Sequence, residues 1–307
     1  MPLKGKRFLV TGGAGFIGSH TVDALISRGA KVAIVDDLST GRKENINPRA
    51  KFFRMNIAGP HLRDVFQKFK PEYVYHFAFF VLVPRSTENP LLDMPSISGS
   101  LNLLKNAKDS HVKKVIFSSS GFLYGNTKNL PAKETEAIAP ISPYIVSKHA
   151  VEEYLSFFRS AHKLHSVVLR YAAVYGPRQV TGAMADYIRH LAQGKQAVMW
   201  GDGKKTRDYV YIDDVVKANI LALRVPQDHP NPVFNVGTGI ETSLNVLYGE
   251  IATLLGKPAR SIYLPDRSGE QVFYSLDAGK IRRELKWRPS VSLDRGLKKV
   301  LEYQRLI

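Results

Sequence analysis

A short apolar strand that runs into a glycine-rich turn and then a helix constrains this chain more than any other feature. Arg7–Thr11 is followed by Gly12-Gly13-Ala14-Gly15-Phe16-Ile17-Gly18, and Phe16–Arg28 reads as a helix. Gly12, Gly15 and Gly18 stand in GxxGxxG spacing. Without Cβ atoms the backbone turns tightly and can approach a pyrophosphate. The helix N-terminus then offers unpaired N–H groups and its positive dipole end to that anion. The triplet alone is weak evidence; at the opening of a βαβ unit it reads as a dinucleotide cradle. The next strand, Lys31–Val35, ends in Asp36-Asp37, 18 residues beyond Gly18. A carboxylate there accepts hydrogen bonds from a ribose 2′-hydroxyl and repels a 2′-phosphate. This favours NAD over NADP, although Arg42 and Lys43 lie close by.

The alternation continues. Phe52–Met55, Tyr73–Phe77, Lys114–Ser118 and His165–Tyr171 are predicted strands. Leu62–Phe69, Leu92–Ala107 and Tyr144–His162 are predicted helices between them. Strands apolar throughout, alternating with helices, specify a parallel sheet covered on both faces. The expected fold class is α/β, a doubly wound parallel sheet of Rossmann type with a second, smaller α/β substrate lobe. From Ala172 the pattern loosens into Gly- and Pro-rich loops, with helices at Asp213–Leu223, Leu244–Leu255 and Ala278–Leu285. The expected division is a dinucleotide-binding domain over 1–171 with 209–236, and a substrate-binding lobe over 172–208 and 237–307.

Composition removes several function classes. With 307 residues, 44% of them apolar and 23% charged, the chain is neither disordered nor fibrous. The longest nearly apolar run, Tyr73–Val83, is too short to span a bilayer, and the start lacks a signal-peptide arrangement. No cysteine is present, which excludes disulfides, thiolate metal sites and cysteine nucleophiles and fits a reducing cytoplasm. The net charge of +17 favours anionic partners. Its basic residues are scattered, however, with the densest groups at Lys204-Lys205-Thr206-Arg207 and Arg282-Arg283. That distribution suits an anionic small molecule better than nucleic acid. Of nine histidines only His162 and His165 are closely spaced, with no carboxylate in ligand spacing, so no metal site is predicted.

Tyr144 and Lys148 stand four apart at the head of a predicted helix and share a face. A phenol is a poor base at neutral pH. Lowering its pKa by three units requires about 4 kcal/mol of preference for the phenolate, at about 1.4 kcal/mol per unit. A buried lysine together with an oxidised nicotinamide, both cationic, is an effect of that size. Upstream, Ser118-Ser119-Ser120 ends a strand on the side where such sheets bind ligands, and a hydroxyl there can hold a substrate oxygen beside the phenol.

Over nearly its whole length the chain resembles the extended short-chain dehydrogenase/reductases, in their sugar-nucleotide branch. The resemblance rests on Thr11–His20, Asp36-Asp37-Leu38, His76-Phe77-Ala78, Ser118–Ser120 before Tyr124-Gly125, and Tyr144 with Lys148. It extends through Leu169-Arg170-Tyr171, Val174-Tyr175-Gly176-Pro177-Arg178, Gly201-Asp202-Gly203 and Thr206-Arg207-Asp208-Tyr209-Val210. Asn235–Gly239, Arg267-Ser268-Gly269-Glu270 and Leu285-Lys286-Trp287-Arg288-Pro289 complete it. The resemblance implies Tyr144 as the base on a sugar hydroxyl, Lys148 on the nicotinamide ribose and Ser120 on the reacting oxygen. The cofactor site would take in Gly12, Gly15, Phe16, Ile17, Gly18, Asp36, Asp37, Leu38, Asn56, Ile57, Phe77, Ala78, Phe79, Ser118, Tyr171 and Val174. The substrate site would add Phe122, Ala173, Arg178, Arg207, Tyr209, Arg267 and Tyr274, with Arg207 and Arg267 clamping a nucleotide diphosphate through their planar guanidinium forks.

Members of the branch share hydride abstraction at sugar C4 and differ in the fate of the keto intermediate. The dehydrating and decarboxylating relatives carry acidic residues where this chain has Gly121 and Phe122, neither of which moves a proton. The implied reaction is NAD-dependent 4-epimerisation of a nucleotide sugar, with UDP-glucose and UDP-galactose favoured because Tyr274 is large. UDP-glucuronate or UDP-N-acetylhexosamine epimerases, a reductase of the same branch, and a non-catalytic NAD or nucleic-acid binder are the rival readings. Asn56, Ser96, Ala172-Ala173 and the bulky Phe79, Phe80 and Phe122 depart from the branch's usual residues. They read either as a repacked pocket or as locally compensated drift. Apolar stripes at Leu101 and Leu104, and at Val151, Tyr154, Leu155 and Phe158, read as core. The resemblance implies that these two helices pair with their copies in a homodimeric four-helix bundle.

Overall fold

Alternate residues of each apolar strand face opposite layers of helices, and this builds the molecule. The computed structural model describes residues 3–266 and 272–307. In chain order its elements are β1 (Arg7–Thr11), α1 (Phe16–Ser27), β2 (Lys31–Asp36), β3 (Lys51–Arg54), α2 (Leu62–Phe69), β4 (Tyr73–His76), α3 (Val83–Glu88), α4 (Met94–Asp109), β5 (Lys114–Ser120), α5 (Pro143–His162) and β6 (Ser166–Tyr171). There follow β7 (Ala173–Tyr175), α6 (Ala183–Ala192), β8 (Ala197–Trp200), β9 (Thr206–Arg207), β10 (Tyr209–Tyr211), α7 (Ile212–Ala222), β11 (Val233–Val236), β12 (Thr242–Ser243), α8 (Leu244–Leu254), β13 (Ser261–Leu264), α9 (Gly279–Leu285) and α10 (Leu293–Tyr303).

Seven strands form one parallel sheet in the order β11-β6-β5-β4-β1-β2-β3. Phe8 and Val10 of β1 pack with Val22, Leu25, Val215 and Ala218 of α1 and α7 on one face. Leu9 between them joins Val74, Leu103, Phe117 and Val151 on the other, as the two-residue period of a strand requires. A third apolar cluster builds the C-terminal lobe: Met184, Tyr187, Ile188 and Leu191 of α6 meet Leu247 and Ile251 of α8 and Leu297 and Val300 of α10.

A polar network ties α5 to the sheet. Arg170 of β6 grips Glu152 through Nε (3.1 Å) and Nη2 (2.6 Å), and its Nη1 donates to the Tyr124 hydroxyl (2.9 Å). That hydroxyl in turn donates to Asn235 Oδ1 at 2.7 Å. Each member is buried and bonded, the condition under which ions are tolerated inside a protein.

The structure departs from the predicted elements where a pattern is short or interrupted. The helix expected over Leu92–Ala107 is instead a 3-10 turn at Pro90–Asp93 followed by α4, because the Asn89 side chain accepts the Leu91 N–H and Pro95 opens a new helix. β5 runs on to Ser120, two residues beyond its predicted end, paired throughout with β6. The helices α3 and α6 have no counterpart among the predicted elements. Residues 209–211, assigned from sequence to the dinucleotide domain, form β10 and pair with β7 outside the main sheet.

Candidate active site

The C-terminal ends of β1, β2, β4, β5 and β6 open onto one cavity of about 580 Å³. This is where a doubly wound sheet binds ligands. Of the residues proposed for the cofactor, Gly12, Gly15, Phe16, Ile17, Gly18, Asp36, Asp37, Asn56, Ile57, Phe77, Ala78, Phe79, Ser118, Tyr144, Lys148, Tyr171 and Val174 line it. Leu38 does not; its left-handed backbone (φ 63°) turns its N–H onto Asp36 Oδ1. Of the proposed substrate residues, Ser120, Phe122 and Arg178 line the cavity, whereas Ala173, Arg207, Tyr209 and Tyr274 stand outside its wall. Arg267 lies outside the described residues.

The glycine turn is packed so closely that a side chain would close it. Gly12 has φ 69°, and a Cβ there would lie 2.6 Å from the Ala78 nitrogen. At Gly18 a Cβ would collide with the Gly12 carbonyl oxygen. The helix α1 starts at this turn without a side-chain cap or an acidic residue in its first turn, leaving its leading N–H groups for an anion. Asp36 braces the turn: Oδ2 accepts the Ala14 N–H and Oδ1 the Leu38 N–H, both at 2.9 Å. Burial pushes its pKa up against those two bonds. Asp37 accepts the Ser39 N–H (2.9 Å) and the Asn56 amide (3.0 Å), so both carboxylates are held at the rim with lone pairs to spare. Arg178 pairs with Asp23 at 2.8 Å through Nη2, while its Nη1 is buried with no hydrogen-bond partner among the described residues. An uncapped helix end, paired carboxylates and an unspent guanidinium donor on one cavity fit a dinucleotide with an anionic bridge.

Lys148 is 3% exposed, and its Nζ donates to the Ser118 carbonyl at 2.6 Å. That nitrogen lies 3.8 Å from the centre of the Phe79 ring, 4.7 Å from that of Phe117 and 5.8 Å from that of Tyr144. Burial lowers its pKa to about 7, against a small opposing pull from Glu152. Tyr144 stands edge-on to Phe79, ring centres 5.8 Å apart. Within the protein alone the pKa of its phenol is raised, first by burial and then by the Asp93 carboxylate.

Ser120 accepts the Phe122 N–H at 3.2 Å and keeps its own proton to donate. Ser119 Oγ is buried and makes no hydrogen bond among the described residues. His76 bonds Thr11 through Nδ1 and Ser100 through Nε2, both at 2.8 Å, and burial holds its pKa at about 3. It is a packed neutral imidazole that carries no charge near neutral pH.

On the sugar side, Phe122 forms the wall. Its ring leans on Tyr274 at 4.7 Å, and the Arg207 guanidinium lies 5.6 Å from its centre. Tyr274, expected to set the pocket's width directly, is 1% exposed and stands behind Phe122. Asp208, between Arg207 and Tyr209, is a clasp: it accepts N–H groups from Thr238, Gly239 and Leu276 and the Thr238 hydroxyl. Sequence reasoning missed Ser39, Thr40, Asn45, Gln179 and Thr181, which add polar groups to the cavity. The available signal was their position in loops beyond β2 and β7, on the ligand side.

A glycine cradle after the first strand, paired acids at the end of the second, and Ser120, Tyr144 and Lys148 on the same cavity wall make up a dinucleotide-binding site of the doubly wound class. The chain belongs to the NAD-dependent epimerase/dehydratase family, whose model matches residues 8–237. A putative UDP-glucose 4-epimerase of Methanocaldococcus jannaschii is 38% identical over 303 residues, 97% of this chain and 98% of that protein. The UDP-glucose 4-epimerase of Thermotoga maritima, solved with UDP-glucose, superposes with a TM-score of 0.94 at 42% identity, covering 97% of this chain and 98% of that one. The Thermus thermophilus UDP-glucose 4-epimerase in complex with NAD gives 0.93 at 36% identity, covering 97% and 99%. Among the described residues no helix is long and apolar enough to cross a membrane.

Proposed function

We propose that the protein is an NAD-dependent 4-epimerase of UDP-hexoses, interconverting UDP-glucose and UDP-galactose. Bound NAD supplies a hydride acceptor that returns what it takes. The chain's own residues do the rest: Tyr144 takes the proton of the C4 hydroxyl and later gives it back, and Ser120 donates a hydrogen bond to that oxygen. Lys148 binds the ribose beside it and adds positive charge to the site.

One observation carries the choice of epimerisation over dehydration. Elimination needs a second acid–base pair beside the hydroxyl residue, and a Cβ at Gly121 would collide with the Tyr274 hydroxyl and come within 2.7 Å of Leu276. An acidic side chain has no room there, and Phe122 moves no proton. The assay is incubation with a panel of nucleotide sugars without added cofactor. C4 inversion without accumulation of NADH supports the reading; stoichiometric NADH release or loss of water refutes it. UDP-galactose should be turned over faster than UDP-N-acetylgalactosamine, because Phe122 backed by Tyr274 narrows the sugar side.

We further infer a homodimer through α4 and α5. Met94 on α4 and Val146, Tyr154 and Phe157 on α5 are exposed apolar residues, and the two helices pack together. A cytoplasmic location is the one that a cysteine-free chain acting on soluble nucleotide sugars favours. The division into a dinucleotide domain and a substrate lobe remains our reading, with β7 and β10 at their junction.

A further inference from the structure

Lys148 is buried, and no carboxylate among the described residues forms an ion pair with it. On its own helix, Tyr144 is a neutral phenol one turn before it. Glu152, one turn after it, has both oxygens taken by Arg170 of β6. On β4, His76 is neutral; on β5, the Ser118 carbonyl accepts from the nitrogen and brings no charge. From the turn before α4, Asp93 gives one oxygen to Ser86 and keeps the other buried without a hydrogen bond among the described residues, and its charge bears on Tyr144. What does face the ammonium is a pair of aromatic rings, Phe79 at 3.8 Å and Phe117 at 4.7 Å to their centres. Both distances are within the roughly 6 Å over which a ring face attracts a cation.

We propose that Phe79 is a positioning residue for the epimerase reaction: its ring face, with Phe117 as the second wall, seats the Lys148 ammonium and keeps it charged beside Tyr144. The choice of a ring has an electrostatic logic. A carboxylate would also hold the lysine charged, but its negative charge would cancel the lysine's field at the phenol and disfavour the phenolate. A ring quadrupole stabilises the cation and brings no net charge, so the field of Lys148 at Tyr144 stays uncancelled. Phe79 lies in the loop just beyond the end of β4 and Phe117 in the middle of β5, so the two rings reach Lys148 from separate segments of chain. The mechanistic consequence rests on Tyr144 acting as the base; the seating of Lys148 does not.

The test separates the two. Phe79→Leu keeps apolar bulk and removes the quadrupole; Phe79→Tyr keeps the ring; Phe79→Met is a second apolar variant. In unliganded protein, the Lys148 titration followed by NMR on labelled Cε should move down by about one pH unit in the Leu and Met variants, a tenfold loss of proton affinity, and stay in place in the Tyr variant. In the NAD-loaded enzyme the pH profile of kcat should narrow from both sides in the Leu and Met variants. A less charged lysine raises the phenol's apparent pKa and itself loses its proton sooner, and both limbs belong to the coupled pair. An unmoved Lys148 midpoint in the Leu and Met variants overturns the proposal, as does a Tyr variant that shifts as far as they do. If no sugar is inverted at all, the epimerase reading fails while the midpoint still decides the seating.

Discussion

Replacing Gly18 by alanine sets two well-characterised effects against each other inside α1. Alanine is the better helix former by about 0.5–1 kcal/mol, so by propensity alone the change stabilises. Geometry opposes it. The new Cβ would overlap the Gly12 carbonyl oxygen and come within 2.9 Å of its carbon and 3.0 Å of the Gly13 Cα, all backbone atoms with no rotamer to yield. Forced overpacking costs roughly 1–3 kcal/mol, so the net expectation is destabilisation by about 1–2 kcal/mol. Gly249 in α8 is the matched control, because a Cβ there meets nothing within 4 Å and Gly249→Ala should stabilise by up to about 1 kcal/mol. At roughly 2–4 °C per kcal/mol for a chain near this size, the two variants should differ in Tm by about 4–10 °C. The relaxation that relieves Gly18→Ala must also part the turn from the helix end, so NAD affinity should fall by about tenfold or more, equivalent to about 1.4 kcal/mol. Thermal unfolding with and without NAD, together with an NAD titration, reads both effects. A Gly18→Ala protein that melts at or above the wild-type temperature and binds NAD undiminished would refute the reasoning.

Tyr144→Phe should lower the rate of C4 inversion by about 10²–10⁴-fold while leaving NAD binding intact, measured by turnover and cofactor titration side by side. Lys148→Met should inactivate the enzyme yet stabilise the unliganded protein. The folded-state pKa of about 7 lies below the ordinary lysine value, so the full cost of burying the charge is borne below pH 7 and fades as pH rises toward about 10. The variant's advantage in chemical denaturation should track that window; an advantage that grew with pH would contradict the assignment. Arg170→Met strands the Glu152 charge and should cost about 3–5 kcal/mol, most of it recovered by adding Glu152→Leu, as denaturant titrations of the single and double variants will report. Phe122→Ala removes the ring from the sugar-side wall and should raise kcat/KM for UDP-N-acetylgalactosamine relative to UDP-galactose; an unchanged ratio would clear Phe122 of any part in selectivity.

The features legible in the sequence are those that are local or periodic. The glycine turn, the Asp36-Asp37 pair and the Tyr144–Lys148 spacing each lie within a few residues of chain, and the apolar strands of the main sheet announce themselves by composition, except for the edge strand β11, which no prediction named. The C-terminal lobe is harder because its strands are two to four residues long and pair with partners far away, as Thr242-Ser243 does with Thr206-Arg207. The helix α6 is readable in principle, since Met184, Tyr187, Ile188 and Leu191 repeat at helical spacing. The motif Arg207-Asp208-Tyr209 illustrates a different limit. The sequence reading took Arg207 and Tyr209 as site residues, and the residue between them is a buried clasp for Thr238, Gly239 and Leu276 whose partners no local pattern reveals. The seat of Lys148 is invisible in the sequence because one ring comes from the loop after β4 and the other from β5, and no spacing along the chain brings them together.

Tyr274 reaches the Tyr171 carbonyl at the end of β6 with its hydroxyl, while its backbone N–H bonds Thr206 Oγ1 on β9. One tyrosine thus rivets the panel against which a hexose would lie to the strand that floors the nicotinamide side. The Tyr274 hydroxyl bond to that carbonyl is a direct tie between the two. Sugar preference can therefore be retuned by altering what leans on that rivet, with the hydride-handling machinery left in its original register.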